Sequence, residues 1–460
     1  MYDTIIIGAG LSGLAAGIRL AYYEQRVCIL ERHTTIGGLN SFYRLRGRNY
    51  DVGLHAVTNF APPGSKKGPL AKLLRQLRLR WDDFALVPQV GSSIAFPDVT
   101  LGFRNDFEYL KSEVRRAFPA EIDNFQRLVD RLIDYDDVGG PGSARSARAV
   151  VGETIRDPLL AEMLFCPLMF YGAPGEHDME FGHFSVLFRS ILIEGLARPF
   201  AGIRLILKHL VRKFRELGGE LRLRAGVSRL ATAAGAVRTV QLDDGEELAA
   251  HDVLSSAGWV ETMRMCDGPA VAKTRPAGQL SFLEALSTLN VPPSELGCKQ
   301  TVVFFNDSEK FHWQKPDDLV DVRSGVICSP NNFLYDEPAD DGMIRITALA
   351  NFDRWRSMGE EDYRQAKQSW YDRLTESAIR FLPDFRGSVI DSDTFTPCTI
   401  RRFTGHENGA VYGAPQKQWT GTTHLKNLFI CGSDQGMLGI IGAMTSGIMV
   451  VNRHLLRKKD

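Results

Sequence analysis

The chain has 460 residues, 44% hydrophobic and 24% charged, which is ordinary globular usage with enough apolar residues for two or three domains' worth of core. Lys plus Arg and Asp plus Glu both number 55, so no global charge favours nucleic acid, and no window approaches the about 18–20 uninterrupted apolar residues of a membrane span. The seven cysteines are scattered singly, with no CxxC pair and no Cys/His ligand cluster, and a strand starting at residue 2 leaves no room for a signal peptide, so the expectation is a reducing cytoplasm without zinc or disulfides.

Tyr2-Asp3-Thr4-Ile5-Ile6-Ile7 is a short β-branched run. It ends in Gly8-Ala9-Gly10-Leu11-Ser12-Gly13, and a helical pattern (Leu14, Ala15, Ala16, Ile18, Leu20) follows. A second apolar run, Val27 to Leu30, stops at Glu31. Strand, glycine loop, helix, strand and acid is the order of a dinucleotide site. Gly8 makes the tight turn, Gly10 lets the backbone approach a pyrophosphate, and Gly13 lets helix and strand pack closely. Glu31 would accept from a ribose 2′-hydroxyl and repel a 2′-phosphate, which disfavours NADP.

A second glycine cluster is Gly37-Gly38, followed by Tyr50-Asp51-Val52-Gly53-Leu54-His55. Residues 61–69, rich in Pro, Gly and Lys, read as a linker. Leu70, Leu73, Leu74, Leu77 and Leu79 then recur at helical spacing among Lys72, Arg75, Arg78 and Arg80. Another amphipathic stretch, 107–135, is broken at Pro119, and Gly139 to Ser143 reads as a flexible loop. A basic helix from Gly202 leads to a strand at 220–224, a hairpin turn at Asp243-Asp244-Gly245 and an apolar return, 252–258. Alternating β-type runs fill 280–350, and a helix is expected at 360–381. Asn427 to Gly432 is a last buried strand, leading into a glycine-rich turn and a terminal helix, 440–456.

A nicotinamide enzyme would use the first fifty residues and then change domain. This chain returns to cofactor-type signals near 220–258 and 427–456, a reach that suits FAD, whose flavin lies far from its adenine. These blocks together resemble the amine-oxidase-type flavoprotein superfamily. Tyr50-Asp51-Val52-Gly53 with His55, Thr396-Pro397, Arg402-Phe403-Thr404-Gly405, Gly409, Tyr412-Gly413, Pro415, Cys431-Gly432 and Ser446-Gly447 resemble its phytoene desaturase, carotenoid isomerase and retinol saturase branch. The likeness covers both ends and the 202–258 middle; 66–200 and 265–390 follow only in general pattern.

The resemblance implies an α/β fold. A discontinuous Rossmann-like FAD-binding domain (1–65, 202–262 and 390–460) would carry an inserted mixed α+β substrate region (66–201 and 263–389). It implies FAD contacts at Gly8, Gly10, Leu11, Ser12, Gly13, Glu31, Arg32, Gly37, Gly38, Leu39, Asn40, Gly53, Leu54, His55, Val227, Gly258, Gly432, Ser433, Asp434, Gly439, Ile440 and Ile441. There is one departure. The family usually has an Asp directly after the glycine that closes the last strand, where it binds the ribityl chain. Here Ser433 holds that place and Asp434 comes one later, so either could take the role.

A reduced flavin carries negative charge near N1, and the N-terminus of a helix starting near Gly439 would place backbone donors there. His55 is the candidate catalytic residue, a proton carrier near neutral pH, with a structural hydrogen-bonded histidine as the alternative. Arg401 and Arg402 are read as a buried ion pair or a polar substrate contact, and Cys398 as a small core residue. Leu164, Phe165, Leu168, Met169, Phe170, Tyr171, Phe181, Phe184, Phe188, Ile191 and Leu192 are the candidate lining of a long apolar tunnel, or else plain core. The expected partner is a hydrophobic isoprenoid met at a membrane surface, with the Leu/Arg stretch 70–81 or the basic helix 204–215 as anchor. The protein would then be cytoplasmic and peripherally membrane-associated. Amine oxidation, and a prenyl-binding escort of the same fold without a working flavin, are the alternatives. The oligomeric state stays open.

Overall fold

The structure, a computed structural model, describes residues 1–136, 144–266, 275–339 and 341–456. The loop expected at 139–143 lies outside them. A five-stranded, all-parallel sheet runs in the order Leu428–Ile430, Ala250–Ser255, Tyr2–Ile7, Val27–Leu30, Glu220–Arg222. Its central strands Tyr2–Ile7 and Val27–Leu30 are buried on both faces, by helices on one and by strands Val227–Ala233 and Ala236–Leu242 on the other, which is why their apolar residues run consecutively. Leu11–Ala21 lies on one face, flanked by Ile203–Glu216 and the terminal helix Gly439–Val450. A three-stranded antiparallel sheet (Val227–Ala233, Ala236–Leu242, Glu247–Leu248) supplies the hairpin expected around Gly245.

The second large element is a seven-stranded mixed sheet, in the order Val389–Phe395, Ser281–Leu289, Gly342–Ala350, Ser324–Cys328, Val302–Asn306, Ser92–Ala95, Thr100–Phe103. The period-two alternation of its central strands gives it two different faces. Leu283, Ala285, Ile344, Ile346 and Ala348 bury against Trp370 and Leu374 of the helix Glu360–Ala378. Phe282, Glu284 and Thr347 point the other way, onto the cavity described below.

Two expectations are corrected here. Leu70, Leu73, Leu74 and Leu77 are at most 3% exposed and belong to the core formed with Leu14, Ile18 and Ile441. The helix Pro69–Leu77 packs on Leu11–Ala21 and on the terminal helix, so its apolar stripe is core and not a lipid anchor, and it sits with the cofactor sheet despite lying beyond the boundary drawn at residue 65. Ile203–Glu216 likewise buries Ile206, Leu207, Leu210 and Phe214.

The tunnel reading is corrected too. Among its eleven residues only Phe170 and Tyr171 line the cavity. The others are buried in one cluster, where Phe165 meets Phe184 at 4.8 Å between ring centroids. The helix Pro158–Gly172 is apolar on nearly every side and is buried to match, as such helices are.

Candidate active site

One continuous cavity runs from the carboxyl ends of the parallel strands, past the start of the terminal helix, to the face of the seven-stranded sheet. At its first end the three glycines of the loop differ. Gly8 has φ +96°, which a tight turn demands of glycine. A Cβ on Gly13 would stand 2.2 Å from the Gly8 carbonyl oxygen, so helix and strand approach only without one. Gly10 has extended backbone, and a Cβ there would meet nothing within 4 Å. It faces open cavity, and the space above it, at a helix N-terminus, suits a pyrophosphate. Glu31, 8% exposed, accepts from the Ala9 amide (2.9 Å) and the His33 amide (2.9 Å). It braces the loop and still presents its carboxylate to the cavity.

Gly8, Gly10, Leu11, Ser12, Glu31, Arg32, Gly37, Gly38, Leu39, Asn40, Gly53, His55, Val227, Gly432, Ser433, Gly439 and Ile440 all line this cavity. Four expected contacts do not, besides Gly13 in its packing position. Leu54 is fully buried and Ile441 is 1% exposed, both in the core. Gly258 turns the chain at φ +101° into the helix Trp259–Met265. Asp434 is drawn away from the cavity: its carboxylate accepts from the Trp259 amide at 2.5 Å and the Ala414 amide at 2.7 Å. Ser433 therefore occupies the wall and Asp434 clamps the loop behind it.

At the other end, buried charges hold the segment 51–55. Arg345, 1% exposed, donates to the carbonyls of Val52 (2.5 Å) and Leu54 (2.7 Å). Its Nε and Nη2 both donate to Oε1 of Glu284. Arg198 donates to the Leu54 carbonyl (2.7 Å), the His55 carbonyl (3.3 Å) and Asp51 (2.5 Å). Asp51 also accepts from the Ile203 amide at 3.2 Å. Two guanidiniums are thus matched by two carboxylates, and three backbone carbonyls, of Val52, Leu54 and His55, are satisfied in a site with almost no water access. The sequence reading missed Arg198, Arg345 and Glu284, which come from three strands remote from residue 51. The one available signal was a charged residue at 284 and at 345 inside otherwise apolar β-type runs.

His55 lies on the cavity wall, its Nε2 2.9 Å from Thr347 Oγ1. Burial first, then the nearby Arg345 and Arg198, pushes its imidazole well below the usual histidine value, so it is neutral near pH 7. Burial pushes the Glu284 carboxyl up, against the pull of Arg345. Oε2 of Glu284 takes no hydrogen bond from the described residues, and Glu284 lines the cavity. Around it stand Phe170, Tyr171, Phe282, Val326 and Tyr412. Behind the Asp434 clamp, burial lowers Lys417 to about 8, with Asp434 and Glu180 opposing, while its Nζ donates to the Tyr412 carbonyl at 2.6 Å.

The donor set fits FAD: an acid at the end of the second strand, open space over Gly10, and a helix N-terminus at Gly439 at the far end of one elongated cavity. A family model for flavin-containing amine oxidoreductases matches residues 11–453. Among curated proteins, the chloroplastic prolycopene isomerase of Arabidopsis thaliana is 23% identical over 500 residues, covering 98% of this chain and 82% of that protein. The all-trans-retinol 13,14-reductase of Danio rerio is 24% identical over 549 residues, covering 98% and 86%. The lycopene-forming phytoene desaturase of Pantoea ananas is 25% identical over 309 residues, 59% of each chain. Among solved structures, an oxidoreductase from Methanosarcina mazei superposes with a TM-score of 0.68 at 16% identity, over 98% of this chain and 99% of the other. Putrescine oxidase bound to putrescine does so at 0.65 and 16%, over 99% of each. These two likenesses carry the fold alone. The chain belongs to the flavin-containing amine oxidoreductase family, and it is an FAD-dependent oxidoreductase.

Proposed function

We propose that this enzyme acts on carbon–carbon bonds of a hydrophobic polyisoprenoid. The carrying observation is the wall of the cavity beyond Gly439. It is aromatic and aliphatic (Phe170, Tyr171, Phe282, Val326, Val411, Tyr412), and its one carboxylate, Glu284, is already matched by Arg345. A site for an amine would leave a negative charge free for the ammonium. An unfunctionalised chain asks only for apolar area. The curated relatives named for carotenes and a retinoid support the same substrate class.

On this reading the cofactor contacts are the cavity-lining residues from Gly8 to Ile440 given above, with Ser433 in the ribityl position. Residues 1–65, 202–262 and 390–460 hold the cofactor, joined by the helix Pro69–Leu77. Bound flavin supplies two-electron hydride chemistry. The protein aligns the polyene, excludes water and handles the proton. Where two hydrogens leave neighbouring carbons, one as hydride to the bound flavin, Glu284 Oε2 would take the other as a proton; in saturation the same carboxyl would return it. Burial raises its proton affinity, with Arg345 opposing. His55, neutral, is a positioning residue that holds Thr347 beside Glu284. Their strands pair Glu284 directly with Thr347.

The substrate dissolves in lipid, so the enzyme meets it at a membrane surface. With the Leu70–Leu77 stripe buried, the surface that supports such contact is Val90, Phe200 and Leu334, each about half exposed; the segments that carry Val90 and Leu334 pair through the Leu334 amide and the Pro88 carbonyl, and Phe200 packs on Tyr335 at 5.0 Å between ring centroids. No helix among the described residues is long and apolar enough to cross a membrane.

Anaerobic mixing with squalene- or phytoene-type polyenes in liposomes, following flavin bleaching and product geometry, tests the reading. Bleaching by simple amines, with no response to any polyene from either flavin redox state, would move the protein to amine oxidation. Glu284→Gln should keep flavin absorbance and lower polyene turnover about 100-fold or more. Unchanged turnover would remove Glu284 from the proton step.

A further inference from the structure

We propose that a second recess, beside the cofactor cavity, binds a phosphate-bearing anion. Its wall is formed by Arg32, Arg356, Arg401 and Arg402 over a floor of Phe352 and Cys398, and it encloses about 360 Å³, within the range of small-molecule sites. The sequence reading expected Arg401 and Arg402 in a buried ion pair or on substrate. Both are exposed, and none of the four arginines makes a side-chain hydrogen bond or ion pair with a described residue. No carboxylate lines the recess. Some exposed arginines elsewhere, Arg46, Arg116 and Arg386, have a carboxylate partner; others, such as Arg115 and Arg224, stand singly, and only here do four such groups converge on one concavity among the described residues.

The four guanidiniums come from three places in the chain. Arg32 follows the second strand, Arg356 ends the helix Phe352–Arg356, and Arg401 and Arg402 sit in the last turn of Pro397–Thr404. A helix C-terminus attracts a cation, which accounts for a basic residue in each of those last turns. It does not account for their convergence on one concavity with Arg32. Aromatic faces orient two of them: Arg401 lies 5.6 Å from the Phe352 ring centroid and Arg402 lies 5.6 Å from that of Phe403. Like charges gathered without counter-charge repel, and an oxyanion relieves that repulsion while accepting paired N–H donors from the planar forks.

The recess is separate from the cofactor site. Arg32 and Gly405 line both, but Phe352, Arg356, Cys398, Arg401 and Arg402 line only the recess, and the glycine loop does not reach it. The ligand chemistry is a phosphate ester or diphosphate, supplied either by a soluble metabolite or by an anionic lipid headgroup.

The FAD-loaded protein is titrated with inorganic pyrophosphate by calorimetry at low salt, and separately sedimented with phosphatidylcholine vesicles with and without phosphatidylglycerol. Arg401→Ala/Arg402→Ala and, independently, Arg356→Ala are compared with the parent, with flavin absorbance and melting temperature as controls. Saturable pyrophosphate binding that falls about tenfold or more in the variants supports the site with a soluble ligand. Absence of pyrophosphate binding, with phosphatidylglycerol-dependent sedimentation lost in the variants, supports it with a lipid headgroup. Binding of neither probe, or equal binding by parent and variants with flavin and melting unchanged, overturns the proposal and leaves a solvated basic face.

Discussion

The two ends of the cavity are built by opposite means. At the glycine-loop end the groups on the wall are a loop of glycines, a helix N-terminus and one carboxylate, all within residues 8–31 and all fixed by local geometry. At the end under the seven-stranded sheet they are side chains. Arg198, Arg345, Glu284 and Asp51 come from four separated segments, and none has its role until the others arrive. A site built from local backbone tolerates variation around it but not a side chain within it. A site built from converging buried charges fails when any one partner is removed.

That contrast can be broken or sharpened by substitution. The largest effect is expected from Gly10→Val. The backbone at residue 10 is extended and a Cβ there meets no protein atom, so the variant should fold, melting like the flavin-stripped parent, yet be purified without flavin absorbance. Full flavin content would mean the pyrophosphate lies elsewhere. Arg345→Met is next. It leaves the Glu284 carboxylate buried without a partner and frees the Val52 carbonyl, the Leu54 carbonyl keeping Arg198, which should cost about 3–5 kcal/mol in chemical denaturation. Adding Glu284→Leu should recover part of that loss; if the single variant costs nothing, the charges do not hold the segment.

The third effect is read in pH. His183 is buried with Nε2 2.6 Å from the Gly436 carbonyl, and burial lowers it to about 4, the carbonyl opposing. The unfolded chain binds this proton below about pH 6.5 while the folded protein does not, so stability falls as pH drops from about 6.5 towards 4. His183 should account for about 3 kcal/mol over that window. His55 acts in the same direction; His406, raised by Glu261 against its burial, acts in the opposite one. His183→Gln should flatten the slope of denaturation free energy against pH, and an unchanged slope would show that His183 does not control it. The smallest effect is expected from Ser433→Ala, a few-fold faster loss of FAD on dilution, corresponding to about 1 kcal/mol. Asp434→Ala should instead lower the melting temperature, because the Trp259 and Ala414 amides lose their acceptor. Selective flavin loss from Asp434→Ala alone would reverse the two assignments.

The parts legible in the sequence follow from short-range rules. The order of Tyr2–Ile7, Gly8–Gly13, Val27–Leu30 and Glu31 is a local code, and it anticipates the positive φ of Gly8, the close helix–strand approach at Gly13 and the open space over Gly10. The helices Phe107–Ala117 and Ile122–Asp134, parted at Pro119, and the turn at Gly245 are equally local. Periodicity says that Leu70, Leu73, Leu74 and Leu77 share a face, and composition says that residues 164–192 are apolar. Neither says what covers that face or which apolar side chains meet a ligand, and only packing decided that the leucines are core and that Phe170 and Tyr171 alone of the tunnel set reach the cavity. The same limit applies one residue at a time at Ser433 and Asp434, where two amides from distant segments draw the carboxylate away from the wall. Charges read singly along a chain have no partners. Arg345 becomes neutralised with Glu284, and the four arginines around Phe352 stay without counter-charge, because the tertiary fold brings some opposite charges within hydrogen-bond reach and leaves others apart.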